Sequence, residues 1–149
     1  MALKEEVYEA CKKEIKERML FFHKILNDLT EGAQNDAKGS AGDKHETSLS
    51  MMQLEQEKIK KQVKEIQEMA AQLEKINPQL NSVKVSLGSL VKTSIGYFYI
   101  AVALGKLKLG NTDFYVISQH APLAKQLLGL SLKQEIMMNS KKIIIQEIY

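Results

Sequence analysis

The chain has 149 residues, of which 44% are hydrophobic and 26% charged, which is ordinary for a globular protein of one or two small domains. No run approaches 18 apolar residues, the start is too polar for a signal peptide, and the single Cys11 excludes an internal disulfide, so we expect a cytoplasmic protein without a membrane span. The net charge of +3 divides into 13 basic and 15 acidic residues in 1–78, and 8 basic and 3 acidic residues in 79–149. The basic second half suits nucleic acid or an acidic protein surface, and a plain excess of lysine explains it equally well.

The first region of the chain has the periodicity of a helix. Residues 3–36 contain no Pro and a single Gly, and their apolar residues recur at steps of three or four. Such steps place the apolar side chains on one face of an amphipathic helix. This face comprises Leu3, Val7, Cys11, Ile15, Met19, Phe22, Leu26 and Leu29.

A second helix is predicted after a short break. Residues 37–43 hold two Gly and a Ser, which favours a loop, and Asn77-Pro78 ends the helix that follows. Seven-residue spacing predicts a coiled-coil seam in this helix, formed by Met52, Ile59, Ile66 and Leu73 with Gln56, Val63 and Ala70. We therefore predict an antiparallel two-helix coiled coil over 1–78, with its tip at about 37–47. A hairpin that only dimerises or spaces domains is the alternative.

The second region, residues 79–149, changes to the period of β-strands. Aromatic and β-branched residues alternate with polar ones between Gly and Asn turn signals. Ala121 to Gly129 reads as one short helix, with Pro near its start and Gly past its end. The fold class predicted is α+β, with a small antiparallel sheet. Its strands are expected at 83–87, 90–93, 97–102, 114–117 and 142–148.

Three segments of the second region resemble the C-terminal domain of the Gre family of transcription elongation factors. They are Ser86-Leu87-Gly88-Ser89-Leu90-Val91, the run from His120 to Gly129, and Ile144-Ile145-Gln146-Glu147-Ile148-Tyr149. The middle one is similar to the family's Ser-Pro-x-Ala-x-x-Leu-Leu-Gly signature, with Ala121 in place of the Ser. The resemblance implies an FKBP-like domain that docks on the rim of the polymerase secondary channel. The implied docking residues are Pro122, Leu123, Leu127, Leu128 and Gly129.

The predicted tip of the hairpin resembles the same family. Gly42-Asp43-Lys44-His45-Glu46-Thr47 is similar to the family's Gly-Asp-x-x-Glu-Asn element, with Thr47 replacing Asn. The aromatic-containing stretch after the element is absent, and Lys133-Gln134 stands where the family has Gly-Asp. Residues 138–141 replace a Pro-Gly-Gly hairpin. The resemblance is that of a divergent branch.

The resemblance implies a factor that binds bacterial RNA polymerase and the 3′ end of nascent RNA within it. Asp43 and Glu46 would share a weakly held Mg²⁺ with the polymerase, Asp43 as the main contact and Glu46 as support or water positioning. The factor would stimulate the polymerase's own nuclease, without being an enzyme or binding a cofactor alone. We expect a monomer with weak nucleic-acid contact. Simple capping of the second helix by Asp43 and Glu46 is the alternative.

Three rival functions fit the same residues. A secondary-channel regulator or inhibitor of RNA polymerase could share the fold without stimulating cleavage. An FKBP-like fold could carry prolyl isomerase activity, which would need a pocket lined by aromatic residues. A coiled coil could serve only to oligomerise the chain. Transcript cleavage, peptide isomerisation and sedimentation assays separate the three.

Overall fold

Two long helices precede a six-stranded sheet and a short helix, so the α+β class predicted from the sequence is confirmed. The structure is a computed structural model that describes the backbone of residues 2–38 and 43–149 and the side chains of 2–32 and 46–149. The helices are α1 (Leu3–Lys38), α2 (Asp43–Glu74) and α3 (Pro122–Leu127). The strands are β1 (Leu90–Thr93), β2 (Gly96–Ala101), β3 (Gly105–Leu109), β4 (Thr112–Ser118), β5 (Glu135–Met138) and β6 (Lys141–Ile148).

The local sequence accounts for the limits of the long helices. Glu5 and Glu6 lie in the first turn of α1, where negative charge is favourable at the partly positive helix end. The α2 helix ends at Glu74, three residues before the predicted stop at Asn77-Pro78, and the Asn77 side chain accepts a hydrogen bond from the Gln79 amide at 2.9 Å. Within the described backbone, neither helix is apolar enough over a sufficient length to cross a bilayer.

The chain forms two compact units, and the first of them is discontinuous in sequence. Residues 1–13 and 69–149 make up this sheet unit, and residues 14–68 make up the helical unit. The two ends of the helical region thus belong with the sheet. The division expected from the sequence, 1–78 and 79–149, remains a prediction about domains.

The helical unit pairs α1 with α2 in opposite directions. Gln56 Nε2 donates to Thr30 Oγ1 at 3.4 Å, and the Met52 side chain lies against Gly32, so later residues of α1 meet earlier residues of α2. Among its described side chains, the buried apolar ones are Ile15, Ile59, Val63 and Ile66. The last three occupy seam positions predicted from the seven-residue spacing, whereas coiled-coil packing itself remains a prediction.

The sheet is mixed, and the prediction of an antiparallel sheet is wrong in one pairing. The strand order is β3-β4-β2-β1-β6-β5, and β2 and β4 run parallel, with Tyr97 beside Phe114 and Ala101 beside Ser118. The strand between them in sequence, β3, pairs with the far side of β4 instead of with β2. Alternation of polar and apolar residues marks a strand but not the direction of its neighbour, because both pairings show the same period of two.

Both faces of the sheet are covered inside the sheet unit. On the face that we call the α3 face, Val91, Ile100 and Ile145 form one buried cluster with Ala124 and Leu127 of α3. On the opposite face, called the α1 face, the buried side chains are Leu90, Tyr99, Phe114 and Val116. There the first turns of α1 meet the sheet, since Leu3 lines a groove together with Phe114.

The strand predicted at residues 83–87 is absent from the structure, where this segment is irregular. Val83 is 83% exposed, whereas Val85 is buried. Val85 makes two isolated backbone hydrogen bonds, donating to the Leu130 carbonyl and accepting from the Gly129 amide, each at 2.8 Å. A positive φ of 91° at Gly88 then turns the chain into β1. The alternating pattern of this segment therefore corresponds to one buried side chain, that of Val85, and the segment forms no β-ladder with another strand.

Candidate functional site

The two acidic residues predicted to act at the hairpin tip lie at the start of α2. The helix begins at Asp43, and Glu46 is exposed in its first turn. Helical backbone at both positions places residues three apart on neighbouring parts of one helix surface. The Asp43 side chain and residues 39–42 lie outside the described part of the chain. The described helices thus cover both ends of the tip predicted at 37–47.

Acidic residues at these two positions are of the type that supplies oxygen ligands to a metal ion. Carboxylates are the hard ligands that Mg²⁺ prefers, and Mg²⁺ commonly takes one or two of them and keeps water in its other positions. Among the described side chains, no group of three or more His, Cys, Asp or Glu residues could hold a metal ion. The assignment of Asp43 and Glu46 to a metal ion shared with a second macromolecule stays a prediction.

The second predicted site, around α3, is built by a proline start and a glycine end. Pro122 occupies the first turn, where its missing N–H costs nothing, and Gly129 has a φ of 85° just past the helix. Ala121 caps the helix without a side-chain hydrogen bond. The preceding turn is held by Ser118, whose carbonyl accepts from the Ala121 amide at 3.0 Å and whose hydroxyl oxygen accepts from the His120 amide at 3.1 Å.

The five predicted docking residues differ in exposure. Pro122 and Gly129 are exposed, Leu123 and Leu128 are half-buried, and Leu127 is fully buried in the core cluster. A partner can therefore reach the two ends of α3 and the outer edges of two leucines. Leu127 fixes the position of this surface from beneath, and the docking assignment as a whole remains a prediction.

The three segments that resemble the Gre family meet in the sheet unit. The short pairing of Val85 with Gly129 and Leu130 joins the first segment to the second. Leu90 and Tyr149 exchange backbone hydrogen bonds of 2.8 and 3.3 Å, which joins the first segment to the third. Val91, Leu127 and Ile145, one from each segment, belong to the same buried cluster. The quoted residues are therefore packed parts of one core.

The strands expected from the sequence do not include β3, which carries a further candidate surface. The alternation Lys106-Leu107-Lys108-Leu109 was the available signal, because it has the period of two that a half-buried strand requires. Both lysines are exposed, and both leucines are half-buried. Lys106 Nζ lies 3.5 Å from Asp113 Oδ2 on the adjacent strand.

Comparison of the chain with family models, with curated proteins and with solved structures found no match. The resemblance to the Gre family therefore rests on the segments quoted for it.

Proposed function

We propose that this chain is a transcript-cleavage factor of the Gre type, which binds bacterial RNA polymerase at its secondary channel. The observation that carries the proposal is the pair Asp43 and Glu46 in the first turn of α2, the second of two long helices. The proposal takes α1 and α2 as a coiled coil that enters the channel, and the sheet with α3 as an FKBP-like docking domain. Such a factor would work in the cytoplasm, as a monomer.

The chemistry proposed for the tip is the completion of a shared metal site. A Mg²⁺ ion bound there supplies a Lewis acid and an activated water for RNA hydrolysis by the polymerase. Asp43 provides an oxygen ligand from the start of α2. Glu46, one turn further and exposed, supports that contact or accepts a hydrogen bond from the attacking water. The catalytic machinery remains that of the polymerase.

The docking surface in this proposal is the exposed part of α3. Pro122 and Gly129 stand at its two ends, and Leu123 and Leu128 contribute their outer edges. The core beneath α3 is well packed, because Ala124 and Leu127 are both fully buried. A rigid support of this kind preserves the geometry of a binding surface.

The proposal is tested by transcript cleavage in a stalled, backtracked elongation complex built with the polymerase of the source organism. Asp43→Asn and Glu46→Gln should each lower the cleavage rate by about tenfold or more while binding to the polymerase persists, because each removes a charged oxygen ligand. Glu57→Gln is the matched control, since Glu57 is an exposed acid of α2 beyond its first turn and should leave cleavage unchanged.

The second candidate function is a secondary-channel regulator that does not stimulate cleavage. It is favoured by the departure at Thr47 and by the missing aromatic-containing stretch after it. Binding of the wild-type chain without Mg²⁺-dependent cleavage would establish this regulator instead. Failure to bind polymerase would reject both functions.

A further inference from the structure

The outer edge of the sheet at β3 has the features of a peptide-binding strand. β3 stands first in the strand order and pairs with β4 alone among the described strands. Its hairpin closes through Gly110 and Asn111, with Leu109 opposite Thr112. In an antiparallel ladder, alternate residues direct their N–H and C=O groups away from the partner, and a two-residue turn assigns this outward role to Lys106 and Lys108.

The two faces of this edge carry different chemistry. Lys106 and Lys108 pair with Tyr115 and Asp113 on the α3 face, and both lysines are exposed. Asp113 forms an ion pair with Lys106 and offsets part of this charge. Lys106, Lys108 and Asp113 together therefore carry one net positive charge. Leu107 and Leu109 point to the α1 face, because they pair with Phe114 and Thr112.

An open groove of about 570 Å³ continues the α1 face beside this edge. Leu109 of the edge strand forms part of its wall, and Leu3 and the buried Phe114 add further apolar surface. Glu6 and Glu9 of α1, both exposed, line it as well. Apolar side chains are therefore accepted on this face, whereas acidic ones are repelled.

We propose that the β3 edge binds an extended peptide segment in which acidic residues alternate with apolar residues. The backbone of the segment pairs with the outward groups of Lys106 and Lys108, as in strand addition to a sheet edge. Its acidic side chains lie on the α3 face beside the two lysines, and its apolar side chains lie on the α1 face over Leu107, Leu109 and the groove.

The charges fix the register of the bound strand. A shift by one residue would turn every side chain to the other face, which would bring the acids toward Glu6 and Glu9 and the apolar groups toward the lysines. The same charges exclude a second copy of this chain, because antiparallel pairing of two β3 strands about Leu107 would set Lys106 of one copy opposite Lys108 of the other. The β3 edge thus favours an acidic peptide over the β3 edge of a second copy of this chain.

The test uses the full chain and fluorescent heptapeptides, with no polymerase, so its outcome is independent of the proposed cleavage function. The probe alternates Val and Glu, and two control peptides carry the same residues in two blocks or replace each Glu by Lys. The alternating acidic peptide should bind at least about tenfold more tightly than either control, and more weakly as salt is raised.

Charge reversal and proline substitution separate the two parts of the proposal. The double variant Lys106→Glu with Lys108→Glu should bind the acidic peptide about tenfold or more weakly than the wild type does. It should bind the lysine peptide more tightly than the acidic one. The matched control is the double variant Lys84→Glu with Lys141→Glu, which changes two exposed lysines elsewhere in the sheet unit. It should alter neither the affinity for the acidic peptide nor the preference between the peptides. Lys108→Pro should weaken binding beyond Lys108→Ala, because it also removes the outward N–H at an edge that tolerates Pro.

Three results would overturn the proposal. Equal binding of the block peptide would show attraction by charge alone, without strand pairing. Unchanged preference after charge reversal, in variants with wild-type circular dichroism and melting temperature, would place the peptide elsewhere. Tight binding of a single-stranded oligonucleotide that depends on Lys106 and Lys108, without binding of the peptide, would identify a nucleic-acid surface instead.

Discussion

Tyr99 carries a buried hydroxyl group that has no hydrogen-bond partner among the described residues. Its side chain is fully buried on the α1 face of the sheet. Burial raises its pKa, and the nearby Cys11 and Tyr8 raise it further, so the phenol stays neutral. An unsatisfied buried hydroxyl costs free energy, because it gives up its hydrogen bonds to water without replacement.

Replacement of Tyr99 by Phe should therefore stabilise the chain by about 1 kcal/mol, as urea unfolding would measure. Tyr8→Phe is the paired control, since the Tyr8 hydroxyl donates to the Leu73 carbonyl at 3.1 Å. Its loss should destabilise the chain by about 1 kcal/mol. Destabilisation by both variants would mean that the Tyr99 hydroxyl is bonded in solution.

Lys4 is a buried ammonium group held by neutral oxygens. It is 3% exposed, and Nζ donates to the Leu80 carbonyl at 2.5 Å and to Asn81 Oδ1 at 3.0 Å. Burial lowers its pKa below the usual 10.5, because the charged form loses hydration. Between the lowered value and 10.5, the unfolded chain binds a proton that the folded chain does not, so stability rises with pH in this window.

The stability of the wild type relative to Lys4→Met should therefore increase as the pH rises from the lowered pKa of Lys4 toward 10.5. Methionine keeps the length and apolar packing of the lysine stem, whereas it lacks a titrating group. Urea unfolding of both proteins at several pH values measures the difference between their free energies of unfolding. Groups other than Lys4 titrate in both proteins, so their contributions cancel in this difference. A difference that shrinks with pH would contradict the buried state of Lys4.

At the scale of elements, the position of α3 depends on its buried side chains, above all on Leu127. The helix has only six residues, too few to be stable as an isolated helix, so its position depends on packing. Leu127 is fully buried in the cluster with Val91 and Ile145, and the Leu128 amide closes the helix through the Ala124 carbonyl at 2.9 Å. The position of the surface proposed for polymerase docking therefore depends on the packing of Leu127 in this cluster.

Leu127→Ala should destabilise the chain by about 2–5 kcal/mol, because it leaves a cavity beneath α3. Leu132→Ala is the control, since Leu132 is 52% exposed and should change stability by less than about 0.5 kcal/mol. Thermal unfolding followed by circular dichroism measures both. Equal effects would mean that α3 does not rest on Leu127.

Strong periodicity in the sequence was sufficient to locate most elements. The apolar steps of 3–36 predicted α1, and the runs at 90–93, 114–117 and 142–148 predicted β1, β4 and β6. The sequence pattern did not predict β3, because glycines at 105 and 110 are typical of turns, although Gly105 begins a five-residue strand and Gly110 follows its end. The parallel pairing of β2 with β4 depends on where the intervening strand docks, which local residue patterns do not encode.

The candidate sites were predictable to different depths. Pro122 and Gly129 mark the limits of α3 through backbone preferences that are local, so the sequence located the helix correctly. The full burial of Leu127 depends on β1 and β6, which lie far away in sequence, so its role as support could not be read from the motif. The groove at Leu109 brings residues of 109–114 beside residues of 3–9, which lie about a hundred positions away in the sequence, so no local pattern predicted it.

Considered as a whole, the molecule is a sheet unit interrupted by a helical unit. Residues 14–68 form the helical unit, and they separate the two segments of the sheet unit, 1–13 and 69–149, in the sequence. Each unit has its own buried residues, such as Val63 in the helical unit and Tyr99 in the sheet unit. The proposed tip belongs to the helical unit, whereas the proposed docking surface and the β3 edge belong to the sheet unit.

This interruption has a consequence for synthesis of the protein on the ribosome. Val7 and Cys11 leave the ribosome before any strand of the sheet is made, yet both are fully buried in the unit that contains all six strands. Residues 14–68 can pair while translation continues, because all of their unit has already emerged. Residues 1–13 must instead wait for strands that are made after the helical unit, so a segment that is synthesised before that unit is buried after it has paired.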